Sequence, residues 1–200
     1  LPPSSFDACD RLATRVNSLS LVRYRNNDYS VPVAFGHQEV WIRGYVHEVI
    51  IGCASEEIAR HPRSYDREDY IFNPIHYLPL LEKKIGALDQ AAPLEGWDLP
   101  NVFATLRRLL EARMGKPGKR EYVQVLRLLE TFELNDLHGA IKDALRLSAI
   151  SCDAIKHLVL CRIERLPPRL NLDIYPYLPR AQVATTSAAS YMNLLADGAS

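Results

Sequence analysis

VNSLSLVRYRNNDYSVPVAFGHQEVWIRGYVHEVIIGCASEEIARHPRSY (Val16–Tyr65) carries the pattern on which the fold turns. β-branched and aromatic residues crowd four runs in it: Val16–Arg25, Asp28–Val33, Glu39–Cys53 and Glu56–Tyr65. Turn-forming clusters separate them at Asn26-Asn27-Asp28, Phe35-Gly36-His37 and Ala54-Ser55-Glu56, so the stretch predicts four or five short strands rather than βαβ units. Strands of this length and spacing predict a small twisted β-barrel over residues 15–72. Leu19 and Leu21 fall on one face while Val22 and Tyr24 take the other, which predicts a bulge near Leu21–Val22; Gly44 is a natural second corner. Arg23 and Arg25 then share a face opposite Val22 and Tyr24.

Outward from this stretch the character changes on both sides. Residues 1–14 open Pro/Ser-rich, without a methionine, and read as a linker in a piece of a longer protein. Asn73-Pro74 ends the β region, because proline cannot extend a ladder. A short helix is predicted from near Tyr77, with Pro79 in its first turn. Gly86–Asp98 reads as a connection pinned by Trp97. From Pro100 to Arg165 the apolar period is helical, with stripes at Val102, Phe103, Leu106, Leu109, Leu110 and at Tyr122, Val125, Leu126, Leu129. Further stripes run through Leu137, Ile141, Ala144, Leu145 and through Ile155, Leu158, Val159. Gly115 and Gly118 around Pro117 mark a stop and start, and Asn135 and Ser151 are the expected N-caps. Short connections predict an antiparallel α-helical bundle over 73–165. Residues 166–200 are Pro-rich and read as an extended tail ending in an apolar cluster, Tyr191, Met192, Leu194 and Leu195. The fold class expected is α+β in two parts, barrel then bundle.

Chemistry-bearing patterns are few. An apolar fraction of 48% supports a real core, and the formal net charge is zero, so polyanion binding has to come from local patches. Cys9, Cys53, Cys152 and Cys161 lack CxxC spacing, which favours a reducing compartment over a disulfide framework. No apolar run approaches the roughly 20 residues of a spanning helix, and no signal-peptide pattern opens the chain. Nucleophile motifs are missing, and GKPGKR (Gly115–Arg120) lacks Walker spacing. His157 and Cys161 share a helix face near Cys152, but a fourth zinc ligand is not in sight and such cysteines read as small core hydrophobes. The basic groups say more. Arg23, Arg25 and Arg43 in strands, with Arg60, His61 and Arg63 in and after the last one, could converge to grip phosphates. The bland alternative is ordinary exposed arginine, diluted by Glu39, Glu48, Glu56 and Glu57. A second cluster, Arg113, Lys116, Lys119 and Arg120, surrounds a helix start; it reads equally as an anion site and as a solvated loop.

Several stretches together resemble a known family. NDYSVPV (Asn27–Val33), IARHPRSYDRE (Ile58–Glu68), GALDQAAPLEGWDLP (Gly86–Pro100) and FATLRRLLEARMGKPGKREYVQVLRLLETF (Phe103–Phe132) are similar to IstA transposases of the IS-twenty-one insertion-sequence family. So are KHLVLCRIERLPPRLNLDIYPYLP (Lys156–Pro179) and ATTSAASYMNLL (Ala184–Leu195). Members are DDE transposases with a helix-turn-helix region, an RNase H-like core, a β-barrel and a helical tail region; this chain resembles the last two parts. The resemblance implies an SH3-like, integrase-type barrel that binds transposon-end DNA, without catalytic residues, metal or cofactor of its own. It also implies a bacterial cytoplasmic setting, self-association in a transposase multimer, and docking of an AAA+ ATPase helper (IstB-like) by the tail cluster Tyr191, Met192, Leu194 and Leu195. No membrane partner is implied. The rival readings are a pure protein–protein interaction module without DNA contact and a metal-dependent nuclease.

Overall fold

The structure, a computed structural model, describes residues 7–164. Seven strands come first: β1 (Asp10–Arg15), β2 (Leu21–Tyr24), β3 (Asn27–Ser30), β4 (Glu39–Gly44), β5 (Glu48–Cys53), β6 (Glu56–Pro62) and β7 (Tyr70–Ile71). They make an antiparallel sheet in the order β1-β4-β5-β6, and a second sheet β2-β3-β7 in which the short β7 runs parallel to β3. The expected closed barrel is therefore not formed among the described residues. Two sheets instead share one core of Val16, Val22, Tyr24, Tyr29, Val31, Val40, Ile42, Val49, Ile51 and Ala59. Period-2 alternation explains this: Val40 and Ile42 of β4, with Val49 and Ile51 of β5, point inward, leaving Glu39, Trp41 and Arg43 on the outer face.

Two features of the N-terminal stretch differ from the sequence expectation. The linker ends earlier than Thr14, because Asp10–Arg15 pairs with β4 along its whole length, from Asp10 opposite Gly44 to Arg15 opposite Glu39. DRLATR has little β-propensity of its own; the strand exists through its partner, which a local pattern does not show. The expected bulge at Leu21–Val22 is a turn instead. Asn17 Oδ1 accepts from the Leu19 and Leu21 amides, Ser20 sits at φ 59°, and β2 then starts at Leu21. The register shift of the four-stranded sheet falls at Ile51/Gly52. Gly52 has a steric role: a Cβ there would run into the Trp41 indole lying across it.

Helices follow. A 3-10 turn over Pro74–Tyr77 leads into α1 (Leu78–Lys83), where Pro79 lies in the first turn as expected. Two more 3-10 turns, Ile85–Gln90 and Ala92–Leu94, bridge to α2 (Asn101–Met114), α3 (Lys116–Arg127), α4 (Leu134–Leu147) and α5 (Cys152–Ile163). Their core holds Leu78, Phe103, Leu106, Leu110, Val123, Leu126, Leu137, Ile141, Ile155 and Val159, all essentially inaccessible, and Trp97 packs on it half-buried. Gly115, at φ 61°, is the single residue between α2 and α3. Gly118 lets the two helices touch, since a Cβ there would meet the Leu110 carbonyl. Ser151 caps α5 by accepting from the Ala154 amide. Asn135 is not the cap of α4: that position belongs to Glu133, which makes no side-chain cap bond, and Asn135 lies in the first turn.

A buried polar seam joins the β part to the first helical turn. His61 Nε2–H donates to the Ser30 carbonyl at 2.6 Å, and Ser30 Oγ lies 2.9 Å from His76 Nδ1 while accepting from the Asn73 amide. The two imidazoles meet edge to face, 5.6 Å apart. Burial and the neighbouring His61 push His76 down to about 4, and burial lowers His61 as well, so both rings are neutral at pH 7. Tyr77 ties the same junction by donating to the Leu19 carbonyl.

Candidate nucleic-acid interface

The outer face of the four-stranded sheet is laid out by register. Arg11 of β1 stands directly opposite Arg43 of β4, Arg43 opposite Ile50 of β5, and Ile50 opposite Arg60 of β6. Arg43 is stacked on the Trp41 ring, its guanidinium carbon 4.7 Å from the centroid. Trp41 is itself fixed, donating its indole N–H to the Ala54 carbonyl at 2.8 Å. Ala54 occupies the β5–β6 hairpin at φ 52°, so the indole bond braces a turn that an L-residue adopts reluctantly. Arg11, Ala13, Trp41, Arg43 and Ala54 line a shallow groove of about 420 Å³.

The arginines expected to converge have separate fates. Arg60 is clamped by acids: Nη1 donates to Glu48 at 2.7 Å, while Nε and Nη2 grip Glu57 at 2.9 and 3.0 Å. These bonds raise its pKa further, as expected for a guanidinium locked between carboxylates. Arg25 lies in the β2–β3 turn and donates to Asp10 at 2.6 Å. Arg23 faces Asp28 at 3.6 Å across the hairpin. Arg63 serves the fold, donating to the Tyr45 carbonyl at 2.7 Å between the Tyr24 and Tyr65 rings. His61 is buried in the junction and faces no solvent. Arg43 alone of this set has no acid or hydrogen-bond partner among the described residues.

The second cluster is also divided. Lys119 joins Arg107 on Asp89, whose carboxyl they hold below the usual range. Arg113, Lys116 and Arg120 sit around Gly115 with exposed or half-exposed side chains and no ion pair among the described residues. Tyr191, Met192, Leu194 and Leu195 lie outside the described residues. Of the residues weighed for zinc, Cys161 is exposed rather than in the core, with Sγ 3.5 Å from His157 Nε2, while burial pushes the Cys152 thiol up to about 11. Among the described residues no three His, Cys, Asp or Glu side chains converge on a common point. None of the described helices is long and apolar enough to cross a membrane.

Sequence patterning missed Arg11, Arg15 and Trp41 as surface-forming residues. Arg11 lay in the supposed linker, Arg15 stood at the first position of the expected barrel without being weighed, and Trp41 was read only as part of a strand. One signal was available: once DRLATR is a strand, arginines alternate on one face of it.

Comparison with known proteins matches the β part to a described family. Residues 1–73, which hold all seven strands, match the family described as Mu transposase, C-terminal domain. Over most of its length the chain is similar to transposases. The transposases for insertion sequences IS1326/IS1353 of Pseudomonas aeruginosa and Shigella flexneri are each 31% identical over 172 residues, covering 84% of this chain and 33% of the relative. A transposase of Aminobacter aminovorans is 33% identical over 216 residues, covering 94% of this chain and 41% of the relative. The chain thus spans between a third and two fifths of the length of these curated relatives. No solved structure matches the chain with significance.

Proposed function

We propose that this chain is a non-catalytic, DNA-holding C-terminal region of an IstA-type transposase of the IS-twenty-one family. Its β part binds transposon-end DNA and its helical part supports assembly of the transposase multimer. In this reading the two sheets around one core are an opened relative of the SH3-like, integrase-type barrel. Strand transfer belongs to a catalytic core elsewhere in the full protein, in the bacterial cytoplasm. The tail cluster Tyr191, Met192, Leu194 and Leu195 engages an AAA+ ATPase helper of the IstB kind.

The observation that carries the reading is the coincidence of two things. The segment similar to the Mu transposase C-terminal domain is the segment whose outer face keeps a guanidinium, Arg43, without a counter-charge among the described residues. A neutral molecule that leaves arginine uncompensated on one face has a local potential with which to hold phosphates. The mechanism is positional: phosphate contacts fix register and orientation so that the reacting strand end meets the catalytic core in line. Among the sequence-derived cations, Arg43 with Arg113, Lys116 and Arg120 are the ones ready to act. Arg23, Arg25, Arg60 and Lys119 would first have to leave an acid, and Arg63 would have to leave a carbonyl.

Titration of the chain with linear duplex DNA at increasing salt tests this. Log affinity should fall steeply with log salt, by about 0.9 for each phosphate contacted. Absence of duplex binding at low salt would favour the rival reading, an interaction module for transposase multimerisation or helper binding.

A further inference from the structure

Cross-strand neighbours of like charge destabilise a sheet, and side chains directly opposite one another are the closest pairs a sheet offers. Arg11 and Arg43 are such a pair, on an exposed face, with their guanidinium groups bordering the same groove. Arg60 is held by two acids, Arg11 by one, and Arg43 by none among the described residues. Arg11 keeps one contact with Asp7, at 3.0 Å, and a long one to Cys9 Sγ, leaving Nη1 without a partner among the described residues. Its side chain is 65% exposed. Arg43 has only the Trp41 ring as a partner among the described residues. At the far end of β1, Arg15 stands opposite Glu39, gives Nε to the His37 carbonyl and does not line the groove. Asp7 offsets Arg11 alone, so the opposed pair keeps a net positive charge that an anion outside the chain can answer.

We infer that Arg11 and Arg43 form a two-point clamp for neighbouring backbone phosphates of duplex DNA, with Trp41 as the positioning residue that holds the Arg43 fork in place. This rests on the DNA-holding reading above and gives it a face and residues. Trp41 decides the class of contact. Its ring lies across Gly52, carries Arg43, and spends its N–H on Ala54. A stacking platform for unpaired bases needs an open aromatic face, and this ring is already partnered. The groove therefore reads charge and spacing, and does not read base identity.

The test uses the whole chain and a labelled linear duplex, followed by fluorescence anisotropy against salt. Replacing Arg11 and Arg43 together with alanine should make the slope of log affinity against log salt shallower by about 1.8. At low salt binding should weaken on the order of tenfold for each arginine. Arg11→Lys, which keeps the charge, should restore most of its share. The paired Arg60→Ala should leave the slope unchanged. Trp41 supplies a local reporter, because Trp97→Phe leaves it the sole tryptophan of the chain. In that background duplex DNA should change Trp41 emission, and the change should vanish with Arg11→Ala and Arg43→Ala. Binding that persists with an unaltered slope and silent Trp41 emission would overturn the clamp while leaving DNA binding by another face intact. Failure of the unaltered chain to bind duplex would remove the DNA-holding reading and the clamp together. Single-stranded DNA of the same length competing better than duplex would overturn the backbone assignment in favour of base stacking.

Discussion

The helical part and the β part arrange their charges differently. Several helical cations are absorbed into networks: Arg107 and Lys119 share Asp89, Arg127 bridges Glu82 and Glu130, and Arg146 and Arg162 converge on Asp143, while Arg113, Lys116 and Arg120 stay without an ion pair among the described residues. The outer β face places two arginines side by side, Arg11 with Asp7 and Arg43 without an acid among the described residues. The cores differ too. That of the helices is aliphatic and aromatic throughout, whereas the β part closes on a seam of Ser30, His61 and His76. The contrast teaches where to look for an anionic partner: on the region whose surface charge is left incomplete, even though the chain as a whole is neutral.

Cooperativity between the two regions is the strongest way to break this contrast. Phe103, 1% exposed in the helical core, should cost about 3–5 kcal/mol on replacement by alanine. Because Ser30–His76 and Tyr77–Leu19 lock the regions together, unfolding followed by Trp41 emission and by helical circular dichroism should shift to the same lower denaturant midpoint. Two separate midpoints would show that the regions are stabilised independently.

Acid should expose the polar seam next. His76 has its folded pKa lowered to about 4 against an ordinary 6.5, so below pH 6.5 the unfolded chain takes up a proton that the folded chain refuses. The seam's contribution is complete above that value and is lost as pH falls from 6.5 toward 4, on the order of 3 kcal/mol for this ring. Denaturant midpoints measured across the window should show the drop, and His76→Asn should flatten it.

A smaller effect probes the β face alone. Gly52→Ala pushes a methyl into the Trp41 indole and should cost about 1–3 kcal/mol. It should also shift Trp41 emission to the red in the Trp97→Phe background, with the helical signal retained. An unshifted emission would mean that the indole does not depend on Gly52 for its seat.

Much of this architecture could be read from residue order because it rests on short-range physics. Period-2 alternation around Val40–Ile42 and Val49–Ile51, helical stripes through Leu106–Leu110, Pro79 in a first turn and Ser151 as a cap are each decided by neighbours a few residues away. Long-range pairing alone decided the remainder. Asp10–Arg15 is a strand only because β4 lies beside it, and the second sheet gains its third strand because β7 returns to β3, with Asp28 opposite Tyr70. Whether an arginine is open or silenced turned on which acid the fold carried to it: Glu48 and Glu57 reached Arg60, while Arg43 received a tryptophan. Ion pairs depend on distance in space, which a linear pattern does not contain.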